Sequence, residues 1–348
     1  MADLQTQFEQ FNKTICLGRF EEEQTLRDKR DIVRKKIEDY LPAVFEKYGE
    51  TCPEFYFRNQ GSYELGTGIK PLNGDYDIDQ GLYFLCSKED YPDPVTLKKR
   101  VHEALEGHTK DVRIRRPCVT VFYQKNGEYV YHVDIAIYSA GNVDGKTYLA
   151  TGRLNSLAIN REWLADDPAT LAKLLSERFS GNDRKQFRRI LRYLKRWKDF
   201  NFSKAGFASP RGVALSVAAY YWFSPAYTDW FSGKMNDLGA LKSLVKAMID
   251  NFQTISWVDS IRRLTVKLPV EPNNDLFAKM TDNQMKTFEQ NLTDLYVMLV
   301  NAEQDADPVT GSQSLQNKSF GADFPVPAKT QTAQRSATTG IVGVHESA

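Results

Sequence analysis

The sequence predicts an α+β protein in two parts, a first half that mixes helices with a β-sheet and a second half that is helical almost throughout. Short β-rich runs with alternating apolar positions, "EFYFRNQ", "YDIDQGLYFL", "VTVFYQ" and "YVYHVDIAIYS", fall only in the first half. From about residue 160 to 302 the apolar spacing turns helical, as in "RKQFRRILRYLKRWKDF", "GVALSVAAYYWF" and "QMKTFEQNLTDLYVMLVNA". After Ala302 the chain becomes rich in Ser, Thr, Gly, Pro and Gln, with few large apolar residues. Such a segment buries too little to offset its ordering entropy, so a flexible tail is expected. The resulting division is 1–155, 156–302 and a tail over 303–348.

Within the first part, Leu26, Val33, Ile37 and Leu41 recur at sevens and fours and predict a long N-terminal helix, which Pro42 should interrupt or restart. The Asn-Gly pair in "KNGE" predicts a tight hairpin between the last two strands. Between the strands, "PVTLKKRVHEALEGH" reads as a helix on one face of the sheet. In the second part, Tyr220 to Phe223 follow "GVALSVAA" and read as core. Asn274 or Asp275 in "PNNDLFAKMTD" is a candidate helix cap.

Composition excludes several classes of function. The 348 residues carry 46 basic and 45 acidic side chains, a formal charge of +1, so no global field draws the chain to a nucleic-acid duplex or an anionic membrane. The four cysteines have no paired zinc-type or redox-type spacing, which fits reduced thiols in a cytosol. No apolar run approaches the roughly 20 residues of a membrane span. His102, His108 and His345 lack a nucleophile pattern, and no serine occupies a Gly-x-Ser-x-Gly elbow.

The chemistry concentrates in "RNQGSYELGTGIKPLNGDYDIDQGLYF", residues 58–84. Alternate side chains of a strand share a face, so Asp77 and Asp79 point one way while Tyr76 and Ile78 enter the core. The same alternation in "VYHVDIAIY" sends Val133, Ile135 and Ile137 inward and His132 and Asp134 outward. Three carboxylates brought together on neighbouring strands repel unless divalent cations lie between them, and hard oxygen ligands suit magnesium or manganese. Asp75, beside Asn73 and Gly74, reads as a solvated turn acid. Upstream, Gly61-Ser62 follows a strand and opens a helical turn whose free amides suit a phosphate. Gly61 and Gly66 have P-loop spacing, but Thr67 stands where that motif needs lysine. In the helical half, Arg188, Arg189, Arg192, Lys195 and Arg196 form a basic stripe.

A Gly-Ser turn, then Asp-Ile-Asp, then a later strand aspartate resembles the DNA polymerase β-like nucleotidyltransferases. Together with "RRILRYLKRW", the stretch closely resembles the bacterial CD-NTases, relatives of cGAS, DncV and oligoadenylate synthetase, over most of residues 10–302. The resemblance implies a nucleotidyltransferase lobe and a helical oligoadenylate-synthetase-like lobe with the active site between them. It implies that Asp77, Asp79 and Asp134 hold two magnesium ions, that Gln60, Gly61 and Ser62 hold the triphosphate, and that Lys195 reaches the donor phosphates. Ser209 sits where relatives often place a phosphate-contacting serine, although they read Pro-Ser and this chain reads Ser209-Pro210.

The function so implied is cytoplasmic, bacterial and template-independent: synthesis of a cyclic di- or trinucleotide from ATP and other ribonucleoside triphosphates. In the family the product activates a separate effector in anti-phage signalling, and in some relatives a ubiquitin-transfer-like partner conjugates the C-terminus, here "GVHESA". The rival functions are a non-cyclising enzyme that tails RNA or makes linear oligonucleotides, and a catalytically silent binding module. Near-zero net charge disfavours an RNA track, and a complete carboxylate set disfavours the silent module.

Overall fold

The computed structural model describes residues 3–17, 21–202, 209–229, 231–256 and 261–328. Two helices open the chain, α1 (Gln5–Ile15) and α2 (Glu21–Lys47). Leu26, Val33, Ile37, Leu41 and Phe45 line one face of α2 and are fully buried. Pro42 lies inside α2 and neither ends nor restarts it, contrary to expectation. The proline removes one amide near the end of a long helix, and the flanking Leu41 and Phe45 anchor that turn against the sheet.

The sheet follows: β1 (Phe55–Asn59), the single turn α3 (Gly61–Glu64), β2 (Tyr76–Phe84), α4 (Val95–Ala104), β3 (Asp111–Ile114), β4 (Cys118–Lys125), β5 (Glu128–Ser139), β6 (Tyr148–Ala150) and β7 (Trp163–Ala165). Its order is β1-β2-β5-β4-β3, with β6 added to β5 and β7 to β6. Only β2 and β5 run parallel. Asn126 and Gly127 take positive φ of 55° and 86°, which closes the anticipated β4–β5 hairpin. Ile78, Leu82, Val133, Ile135 and Ile137 pack under α2 and α4, leaving the other face of β2 and β5 for the polar set.

Lys98 of α4 is wholly buried in that core. Its ammonium donates to three carbonyls, Arg115 O at 2.5 Å, Arg116 O at 2.7 Å and Gly152 O at 2.7 Å, tying α4 to two loops. Lys98→Met should strand these acceptors and cost about 2–3 kcal/mol, read as a lower midpoint in urea with an unchanged slope. An unchanged midpoint would mean that the cage is dispensable.

The helical part comprises α5 (Pro168–Glu177), α6 (Gly181–Asn201), α7 (Gly212–Trp222), the two-stranded β8 (Tyr227–Asp229) and β9 (Lys234–Met235), α8 (Asp237–Asp250), the pair β10 (Gln253–Ser256) and β11 (Ile261–Arg263), α9 (Asp282–Gln304) and α10 (Pro308–Leu315). Its core draws on both ends of the chain. Leu4, Phe8, Phe11 and Ile15 of the N-terminal segment pack with this half. In the other direction, β7 continues the sheet past residue 155.

The expected tail also divides differently. Residues 303–328 are built into the helical lobe: Asp307 caps α10, residues 316–320 wind one π-turn, and Leu315, Phe320 and Phe324 are fully buried. The rings of Phe320 and Phe324 lie 5.0 and 5.1 Å from that of Phe11. These few apolar anchors find a ready aromatic surface on α1, which average composition cannot reveal. The C-terminal residues expected to meet a conjugating partner lie outside the described residues.

Two smaller expectations change as well. Asp275 caps no helix; its Oδ1 accepts from the amides of Val266 and Phe277 and shapes a loop, while Thr281 and Gln284 form the capping box of α9. Of the aromatic run that ends α7, Phe223 is buried, Tyr220 and Trp222 are half-buried, and Tyr221 is exposed.

Candidate active site

The parallel register of β2 and β5 sets Asp79 directly beside Asp134 and Asp77 beside His132, on the face turned away from α2. The sequence spacing is thus converted into one carboxylate cluster. His132 Nδ1 lies 3.1 Å from Asp75 Oδ1, so Asp75 is occupied by the histidine and stays outside the three.

Burial first, then the charges of Asp77 and Asp134, push the Asp79 carboxyl up to about 7. Asp77 is also raised, by burial and by Asp134 and against the pull of His132. Because solvent reaches Asp77 from the cleft, burial counts for less there than at half-buried Asp79. Lys195 opposes both elevations.

Gly61 adopts φ +66°, and a Cβ at this position would lie 2.0 Å from Asp79 Oδ2. The Gly-Ser turn is therefore pressed against the carboxylate cluster, and a backbone bond from Gln60 N to Asp79 O at 3.2 Å fixes it there. Ser62 is half-buried, and among the described residues its hydroxyl has no hydrogen-bond partner. Thr67, at the missing P-loop lysine position, meets a lysine from elsewhere: Lys195 Nζ of α6 donates to Thr67 O and Oγ1, each at 3.0 Å. Burial brings the Lys195 ammonium down to about 8, against the attraction of Asp77 and Asp79.

Among the described residues no three His, Cys, Asp or Glu side chains already enclose a metal-sized cage. The donor set nevertheless fits divalent cations. Its three oxygen ligands are hard, and their crowding raises Asp79 in a way a cation would relieve.

Comparison with known proteins accounts for this arrangement. The family described as "Cyclic GMP-AMP synthase DncV-like, nucleotidyltransferase domain" matches residues 55–138, which contain the Gly-Ser turn and all three aspartates. The chain carries a DncV-like nucleotidyltransferase domain. The fold agrees over most of the chain. The crystal structure of Vibrio cholerae DncV cyclic AMP-GMP synthase has TM-score 0.70 and 16% identity, covering 93% of this chain and 97% of that one. Bradyrhizobium diazoefficiens CD-NTase CdnG in complex with GTP has TM-score 0.68 and 15% identity, covering 92% and 96%. A cyclic GMP-AMP synthase of Escherichia albertii is 24% identical over 165 residues, 45% of this chain, and the match spans about a third, 35%, of that relative. The matched domain and the overall fold are thus similar to those of bacterial DncV and the CD-NTase CdnG.

In this DncV-like chain some expected contacts are absent. Gln60 is buried, and its amide donates to Tyr83 Oη at 2.8 Å, packed over Gly81, so its side chain braces the cleft wall. Hydrogen bonds among described residues do not join Ser209 to the aspartates, Ser62 or Lys195. Gly212 nonetheless brings the start of α7 against the Lys195 stem: a Cβ there would lie 3.8 Å from Lys195 Cε.

The expected basic stripe is largely a set of structural ties. Arg189 forks onto buried Asp237 at 2.6 and 2.7 Å. Arg192 donates to Asn12 and Gly66 O, and Arg196 to Lys70 O. Arg189 ties α6 to α8, while Arg192 and Arg196 clamp it to the segment after the phosphate turn, leaving Lys195 beside the carboxylates. What the sequence reading missed was Thr120 of β4, whose hydroxyl donates to Asp134 Oδ1 at 2.5 Å.

Proposed function

We propose that this chain synthesises a cyclic di- or trinucleotide from ATP and other ribonucleoside triphosphates. The carrying observation is the juxtaposition of Asp77, Asp79 and Asp134 on two parallel strands, pressed against the Gly61-Ser62 turn and faced by Lys195. Crystal structures of Vibrio cholerae DncV, which has the same fold, hold nonhydrolysable GTP or the linear intermediate 5′ pppA(3′,5′)pG.

Asp77, Asp79 and Asp134 would hold two divalent cations, magnesium or manganese. When bound, these would supply charge neutralisation at the transferring phosphate. Ser62 and the amides of the Gly61 turn would hold the donor triphosphate, and Lys195 would move from Thr67 onto its charge. Asp134 would accept the proton of the acceptor's 3′ or 2′ hydroxyl. As the bond from that oxygen to the α-phosphorus forms, the bond to pyrophosphate breaks, and pyrophosphate leaves. Repetition on the linear product would close the ring. Positioning and charge stabilisation account for catalysis without a covalent enzyme intermediate. In its host the product would act on a separate effector in anti-phage signalling.

The test is incubation of the whole chain with the four ribonucleoside triphosphates and magnesium or manganese, one α-labelled at a time. Phosphatase treatment and mass spectrometry would follow. A phosphatase-resistant product with the mass of a closed ring is expected. A phosphatase-sensitive product would make the chain a linear or tailing enzyme. Triphosphate binding without turnover would make it a silent module.

A further inference from the structure

We infer that Thr120 is a positioning residue for Asp134. The inference rests on the proposed reaction for its functional meaning and on separate geometry for its substance.

Thr120 is fully buried on β4 and lies opposite Asp134 on β5. Its Oγ1 is 2.5 Å from Asp134 Oδ1 and 3.5 Å from Cys118 Sγ. A threonine hydroxyl has one proton, and here it is directed at Asp134 Oδ1. Thr120 therefore donates to Asp134 and receives from Cys118, whose thiol stays protonated because burial and the charge of Asp134 push it up to about 12.

The chain Cys118 to Thr120 to Asp134 has one consistent direction. It occupies one lone pair of Oδ1 and restrains the carboxylate plane, while Oδ2 has no side-chain donor among the described residues. Asp77 and Asp79 have no such side-chain donor among the described residues. Of the three, Asp134 is the one with a pinned orientation, as suits the residue that must align an attacking hydroxyl.

The test compares Thr120→Val, which keeps the shape and loses the hydroxyl, with Thr120→Ser, which keeps the hydroxyl and loses the methyl. Manganese binding to the whole protein is measured by titration calorimetry without nucleotide, alongside kcat and KM for ATP and a thermal melt. Thr120→Val should weaken manganese binding and lower kcat by about 10- to 100-fold, the range for losing an outer partner of a ligand, with KM changed little. Thr120→Ser should recover most of both.

Equal losses in the two variants, tracking their melting temperatures, would reduce Thr120 to a packing residue and overturn the inference. So would wild-type manganese binding in Thr120→Val. Because manganese binding needs no turnover, a wild-type protein that binds manganese yet makes no cyclic product would overturn the proposed reaction and leave the positioning role standing.

Discussion

Asp79→Asn should sharply reduce nucleotide transfer and, in the same protein, raise the melting temperature of the metal-free chain above pH 7. The two effects share one cause. Burial and two neighbouring carboxylates hold Asp79 up at about 7 in the folded chain, whereas an unfolded aspartate titrates near about 4. Between those values the native state binds more protons than the unfolded state, so stability falls as pH rises through that window, and the full cost is present above it. Asparagine cannot ionise and removes the cost. The expected gain is on the order of 5 °C at pH 8 in chelator, vanishing below about pH 4. Adding magnesium or manganese should stabilise the natural chain at pH 8 and largely spare Asp79→Asn, since ligand binding to the native state stabilises by mass action. Turnover should fall by about a hundred- to a thousandfold or more, the scale for deleting one preorganised electrostatic group. An Asp79→Asn chain that melts no higher than the natural one at pH 8 would show that the carboxylates do not burden the fold.

The carboxylate cluster was legible in the sequence because it depends on the most regular feature a chain has, the alternation of side chains along a strand. Asp77, Asp79 and Asp134 each follow from that period, and β2 and β5 then align without a slip. Thr120 follows the same period and was still out of reach. Counting back from the Asn126-Gly127 turn pairs Lys125 with Glu128 and would set Thr120 opposite Val133. A bulge at Tyr123 and Gln124 shifts the register by one, and Thr120 lands on Asp134.

The ends of the chain failed for a different reason. Phe8, Phe11, Phe320 and Phe324 have no local partner, and only the closed fold shows that two sequence-distant pairs form one aromatic cluster. The arginines of α6 misled because spacing gives their common face but not the acceptors opposite it, such as Asp237 and Gly66 O. Gln60 shows the converse: its place in the motif is as expected, yet its amide is turned to Tyr83.

Gly61→Ala should be nearly as damaging to activity as losing an aspartate, and for a reason other than the usual one given for glycine in a phosphate turn. A left-handed residue with a Cβ costs about 1–2 kcal/mol wherever it occurs. Gly49, at φ +70° with no heavy atom within 4 Å of an added Cβ, carries that cost alone. Gly61 carries it at φ +66° and adds a collision, because its Cβ would fall 2.0 Å from Asp79 Oδ2 and 2.9 Å from Asp79 Cγ. Either Asp79 rotates away from Asp134 or the turn that presents Ser62 lifts off the sheet, and each outcome separates the carboxylates from the triphosphate site. Gly61→Ala should therefore lose at least as much stability as Gly49→Ala, while only Gly61→Ala loses turnover, by about a hundredfold or more, the cost of displacing a reacting group from its aligned position. The measurement is a pair of thermal melts with matched rate assays. Equal activity in Gly61→Ala and Gly49→Ala would show that the turn and Asp79 are not in functional contact.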